Sequence, residues 1–164
     1  MSLVGNILWF VFGGGLFLGL SWFFAGICWC LTIIGIPFGI ACFRIASFAF
    51  FPFGKKLVPA EVLGEKAVFG SGCMNVVWCI FSGFWLAVGH ILIGIGCCCT
   101  IIGIPFGLAN FKIAQAAFAP LGKRIVPTAI ADAAIAAYAQ NKVAAMQNQN
   151  APAAPAAPQQ PVNK

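Results

Sequence analysis

Apolar residues occupy this chain in four blocks of two lengths. Residues 5–31 carry no acidic, basic or histidine side chain, and residues 74–100 carry only His90. Each block exceeds the roughly 20 apolar residues that cross hydrocarbon as a helix, so each predicts a transmembrane helix. Shorter blocks follow at residues 37–51 and 105–119. As helices of about 15 residues they reach only ~23 Å, short of a core of about 30 Å unless turn residues and tilt make up the difference.

The alternation is a duplication. Residues 32–59 and 100–127 agree at 19 of 28 positions at a fixed offset of 68, with the octet Thr-Ile-Ile-Gly-Ile-Pro-Phe-Gly identical in both. Upstream, Asn6 and Trp9 match Asn75 and Trp78, and Gly26 matches Gly94, once one residue is dropped from Gly13-Gly14-Gly15. A unit of about 55 residues is longer than one helix or strand and reads as one supersecondary unit used twice. The predicted fold class is an all-α membrane protein of two tandem parallel repeats. Each repeat has a long transmembrane helix, a Gly-Ile-Pro break and a short second helix that spans the membrane or lies at its interface.

The predicted domains are a first membrane repeat at residues 1–59, a basic cytoplasmic loop at 60–72 and a second membrane repeat at 73–127. An Ala-rich cytoplasmic helix at 128–148 follows, because alanine has the best helix propensity. The Ala/Pro/Gln tail at 149–164 is expected to be disordered.

Composition places the chain in a bilayer. It is 62% hydrophobic and 7% charged, with a mean hydropathy of +0.99, whereas soluble domains carry about 25% charged residues. The first block lacks a basic leading region and is longer than a signal-peptide core, so it is expected to stay in the mature protein. Lys55, Lys56 and Lys66 follow the first short block, and Lys123, Arg124 and Lys142 follow the second. If basic loops stay inside, both loops share the cytoplasmic side, and an even number of crossings separates them. That gives four crossings, both termini inside, and two copies related by an axis along the membrane normal. A rival topology turns the long block back at Gly13 to Gly15 and lays the short block along the interface.

The prolines sit between glycines, Gly35-Ile36-Pro37-Phe38-Gly39 and Gly103-Ile104-Pro105-Phe106-Gly107. Proline suits the first turn of a helix and pushes the preceding residue from helical angles. The long helix should therefore end near residues 32–35 and the short one begin at the proline. These breaks read either as tight turns whose small residues let helices approach, or as irregular backbone lining a cavity.

One cation lies inside each short block at matching positions, Arg44 and Lys112, with Ser47 and Gln115 three residues later on the same helical face. At bilayer depth a cation costs roughly 2.5–3.5 kcal/mol and usually faces water or a bundle interior. The strips line a hydrated path if the short helices span. If the helices lie flat, the strips meet lipid phosphates.

Other chemistry is thin. The eight cysteines show no paired C-x-x-C spacing, and Cys97 and Cys99 align with Trp29 and Leu31, so they read as small apolar filler without a metal or cofactor. His90, which aligns with Trp22, is expected to make one interhelical hydrogen bond. Asn6 with Trp9, and Asn75 with Trp78, read as anchors at the membrane interface. Glu61, Glu65 and Asp132 all lie outside the apolar blocks, so no acid–base pair is placed for catalysis and no enzyme is expected. The net charge of +6 gathers at membrane-segment ends. That distribution fits anionic headgroups, not nucleic acid.

The repeated octet, followed by Ala41-Cys42-Phe43-Arg44-Ile45-Ala46 or Ala109-Asn110-Phe111-Lys112-Ile113-Ala114 and then Pro-x-Gly-Lys-Lys/Arg, resembles the YccF family of small bacterial inner-membrane proteins across residues 3–127. The resemblance implies a two-copy, multi-pass domain of the cytoplasmic membrane and carries no reaction or ligand residue. Two function classes stand. One is a structural or assembly component that contacts membrane lipids and a homo-oligomer or membrane-protein partner. The other is a small channel or transporter whose path is lined by the Arg44/Lys112 strips and the Gly-Pro breaks.

Overall fold

Glycine divides the first long block into two helices. The computed structural model describes residues 2–66 and 70–150. In it, α1 (Ser2–Phe12) stops before Gly13-Gly14, and α2 (Gly15–Cys30) leaves at 76° to it. Gly14 sits at φ +79°, a conformation that glycine adopts without steric cost, and this makes the corner. The single long helix expected for the first copy is corrected accordingly. In the second copy one residue fewer separates Trp78 from Gly83, and the helix stays continuous. There α4 (Ser71–Trp78), a π-helical turn at Cys79–Gly83 and α5 (Phe84–Cys98) join in 28 residues. Among the described residues this is the one unbroken helix long and apolar enough to cross a membrane, and the bent pair α1–α2 passes the same test if taken as a single span.

The octet forms a turn at the tip of each helical hairpin. The hydroxyls of Thr32 and Thr100 accept the amides of Gly35 and Gly103, each at 3.1 Å. Helices α3 (Ile36–Phe50) and α6 (Ile104–Phe118) then begin with Pro37 and Pro105 in the first turn. Helix α3 packs along α2, and α6 along α5. The arms meet at glycine: a Cβ on Gly39 would lie 2.8 Å from the Gly26 carbonyl and overlap Cys30 Sγ, and one on Gly107 would lie 2.7 Å from the Gly94 carbonyl and overlap Cys98 Sγ. Small residues at the crossing are what let the backbones approach this closely.

Beyond each short helix the chain extends into a strand, β1 (Lys55–Pro59) and β2 (Lys123–Pro127), and the two strands pair antiparallel. The all-α expectation is corrected by this two-stranded sheet. A short 3₁₀ turn, Ala60–Leu63, opens the segment expected as a loop, of which residues 67–69 lie outside the described residues. The pairing meets backbone hydrogen-bonding needs that a free extended segment would leave open. Its register is symmetric. Leu57 faces Ile125, its own counterpart, while Lys55 faces Pro127 and Pro59 faces Lys123. Equivalent strands paired in this way are related by a local two-fold axis.

Aromatic side chains fill the junction between the copies. Trp78 stacks on Phe38 at 5.5 Å, and the equivalent pair Trp9–Phe106 stands at 5.9 Å. Trp9, Trp78 and Phe38 form one buried core with Phe48, Ile45 and Ile113, and the half-buried Phe106 packs against it. Helix α7 (Thr128–Asn150) follows β2, burying Ala131 and leaving most of its length exposed. It runs two residues past its expected end. Residues 151–164 of the tail expected to be disordered lie outside the described residues.

Candidate functional site

The strand pair puts each copy's cations beside the other copy's short helix. On α3, Arg44 and Ser47 are exposed; on α6, Lys112 is half-buried and Gln115 exposed. Arg44, Ser47 and Lys55 of the first copy line a cleft of about 240 Å³ together with Arg124 of the second. Lys112 and Gln115 of the second copy line one of about 260 Å³ with Lys56 of the first. Arg124 is the counterpart of Lys56 at the offset of 68, so the clefts are related by the same two-fold as the strands.

One carboxylate is placed beside each cleft. Glu65 takes a two-pronged contact from Arg124, Nη2 to Oε2 at 2.6 Å and Nε to Oε1 at 3.1 Å. Asp132 accepts Lys56 Nζ at 2.7 Å. These acids leave positive charge in excess at both places. Lys55 Nζ donates to the Ser47 carbonyl at 3.3 Å. Lys123, its counterpart, faces the other side of Gln115 in an apolar-walled groove of about 490 Å³. Desolvation pushes both lysines below the ordinary lysine range.

The Gly-Pro breaks and the cationic strips lie largely apart. Gly35, Gly39, Gly103 and Gly107 are buried inside their own hairpins, and Pro105 is exposed. Pro37 alone reaches a groove that Arg44 and Arg124 also touch.

Two polar devices serve the interior instead. Asn6 and Asn75 each make a pair of hydrogen bonds to one backbone position, Phe53 (3.0 and 2.9 Å) and Leu121 (both 3.0 Å). Trp9 and Trp78 donate to the Ala49 and Ala117 carbonyls at 2.6 and 2.7 Å. These carbonyls lie in the last turn of α3 and α6, where no helical partner exists. Both tryptophans are essentially inaccessible, so the expectation of interfacial anchors is corrected: each Asn-x-x-Trp clamps the end of its own short helix. Its occurrence at the same place in both copies was the signal in the sequence. His90 makes two contacts where one was expected, accepting from Trp22 Nε1 at 3.3 Å and facing Asn110 Oδ1 at 3.2 Å.

A family model described as the inner membrane component domain, YccF, matches residues 4–55 and 73–123. The chain belongs to the YccF family. Its two matched segments fall on the two hairpin units and leave out α7. The inner membrane proteins YccF of Escherichia coli (strain K12) and Shigella flexneri are each 37% identical to it over 147 residues, covering 87% of this chain and 99% of theirs. No solved structure matches. As a YccF member the chain is an inner-membrane protein, and the apolar side chains its helix sides leave exposed, Phe17 at 75% and Trp85 at 68% among them, suit lipid surroundings.

Proposed function

We propose that this chain is a structural component of the bacterial inner membrane, a two-fold scaffold whose paired strands rest on the cytoplasmic headgroup layer. Both hairpins cross from that side, both termini stay on it, and the partners are anionic lipids. The observation that carries the reading is the filled junction. Where two repeats would have to part to make a channel, Trp9, Trp78, Phe38 and Ile113 are buried against one another. Meanwhile the cations lie outside this core, beside the strands. Helices α2, α3 and α6, at 15 or 16 residues, rise about 23 Å, and the 28-residue run from α4 through α5 rises about 42 Å. Basic residues at the base of each hairpin suit snorkelling toward phosphates. No catalysis is proposed, since Glu65 and Asp132 are engaged in ion pairs.

Cysteine accessibility tests this reading. On a background with the native thiols replaced, Ser47→Cys and Gln115→Cys should react with a membrane-impermeant reagent only from the cytoplasmic side. Ile33→Cys and Ile101→Cys should react only from the periplasmic side. Labelling of position 47 or 115 from outside intact cells would mean a hydrated path and would overturn the structural role.

A further inference from the structure

The two basic clefts are built alike from unlike residues. Arg44 in one copy is Lys112 in the other, Arg124 is Lys56, and Ser47 is Gln115. The identities have changed while charge and hydrogen-bonding capacity have been kept at every one of these positions. Neither copy supplies a whole cleft: each takes its helix cation from one repeat and a strand cation from the other, and the first cleft adds Lys55 from the same repeat as Arg44. Arg44 and Arg124 line the first cleft together, with Glu65 already paired to Arg124, so the cations there outnumber the carboxylates. A further anion in the cleft would offset the surplus charge. The walls also carry apolar side chains, Ile125 and Pro127 in one cleft and Leu57, Val58 and Ile135 in the other. Each cleft has room for a headgroup-sized guest, given that a water takes about 30 Å³ of liquid.

From this geometry we propose that each cleft binds one phosphate oxyanion, so that the chain carries two phosphate sites related by its internal two-fold. Arg44 with Arg124 holds the first, and Lys112 with Lys56 the second. Ser47 and Gln115 offer side-chain donors, and Glu65 and Asp132 orient the strand cations by holding them in ion pairs. The inference deepens the lipid-scaffold reading and rests on it for the source of the phosphate, an anionic phospholipid. Two sites per chain, each shared between repeats, also makes a testable stoichiometry.

The test is native mass spectrometry of the full chain in neutral detergent, titrated with phosphatidylglycerol and, separately, phosphatidylcholine. The wild type should retain two phosphatidylglycerols tightly. R44Q and K112Q should each weaken one of the two about fivefold, the effect of one cation near a charged headgroup surface, and the double variant should weaken both. Unchanged melting temperatures would verify that the substitutions left the fold intact. Retention of two tight phosphatidylglycerols by the double variant overturns the sites, and equal binding of phosphatidylcholine, whose phosphodiester carries the same oxyanion, overturns the anionic lipid as their source. Inorganic phosphate separates the two claims. If it competes with the lipid, the sites read the oxyanion as proposed. If it binds with the same dependence on Arg44 and Lys112 while phosphatidylglycerol does not, the phosphate sites stand and the lipid scaffold falls.

Discussion

Trp22 and His90 hold the same position in the two copies, and the indole N–H of the first donates to Nε2 of the second at 3.3 Å. An indole can only donate, so Nε2 accepts and the ring proton resides on Nδ1, facing Asn110 Oδ1. The Asn110 amide in turn donates to the Phe106 carbonyl at 3.1 Å. Nitrogen-15 NMR should therefore report a neutral His90 with its proton on Nδ1. His90→Phe strands a buried donor on Trp22 and should cost about 1–3 kcal/mol of stability, part of it returned by adding Trp22→Phe. Denaturant unfolding in micelles measures both, and wild-type stability for His90→Phe would refute the buried pair.

The clamps on the short helices are equivalent, so their removal should be too. Trp9→Phe and Trp78→Phe each leave a helix-end carbonyl without its partner. Each should destabilise by about 1–3 kcal/mol, and by similar amounts. A cost confined to one copy would show that the repeats do not use the motif alike.

Glycines in the same hairpin differ sharply in what surrounds them. Gly107→Leu places side-chain atoms against the Gly94 carbonyl and Cys98, and should separate α5 from α6. Gly89 and Gly96 of α5 have nothing within 4 Å of an added Cβ. Replacing either by alanine should be neutral or stabilise by up to about 1 kcal/mol through helix propensity. Thermal unfolding of the three variants should rank them in that order.

The register of the strands can be locked chemically. Residues opposed in an antiparallel pair have Cα atoms about 4.5–5.5 Å apart, within disulfide range. Leu57→Cys with Ile125→Cys should thus close an intrachain bridge under mild oxidation on a background without native thiols. Leu57→Cys with Val126→Cys should not, because those side chains lie on opposite faces of the ladder. Mobility on non-reducing gels tells the outcomes apart.

Lys55 and Lys123 give a pH dependence whose direction follows from their burial. Both are held below the ordinary lysine value by desolvation, so the folded chain binds these protons less tightly than the unfolded chain does. Stability should then rise with pH from the lowered folded value up to the unfolded one, near 10.4, with the penalty present in full below that window. Lys55→Met with Lys123→Met should flatten this rise and increase stability at neutral pH in lipid-free detergent. Melting curves against pH provide the check.

Much of the architecture is written in residue patterns, and the exceptions have physical causes. The hairpin boundaries follow from Pro37 and Pro105, whose rings allow a helix to start and not to continue. The bend at Gly14 was visible only as a glycine triplet, and the other copy, with one residue fewer there, remains a single helix through a π-turn. The strands left no periodic signal: Lys-Lys-Leu-Val-Pro is five residues long, and its partner lies 68 positions away. Trp9 and Trp78 misled because a tryptophan beside asparagine at a helix end looks the same whether its polar edge meets headgroups or a carbonyl of its own chain. Arg44 and Lys112 were singled out by charge in an apolar context, but their companions Arg124 and Lys56 come from the opposite copy, which only the pairing of the strands reveals.

The strand ladder also fixes an order of events during synthesis. Until residue 127 has been made, β1 has an unpaired edge and its future partner does not exist. Because β2 is nearly a copy of β1, the closest substitute available at that moment is β1 of a neighbouring unfinished chain, which can offer the same register. Spacing between ribosomes at the membrane thus bears on whether the hairpins close within one molecule or become exchanged between two.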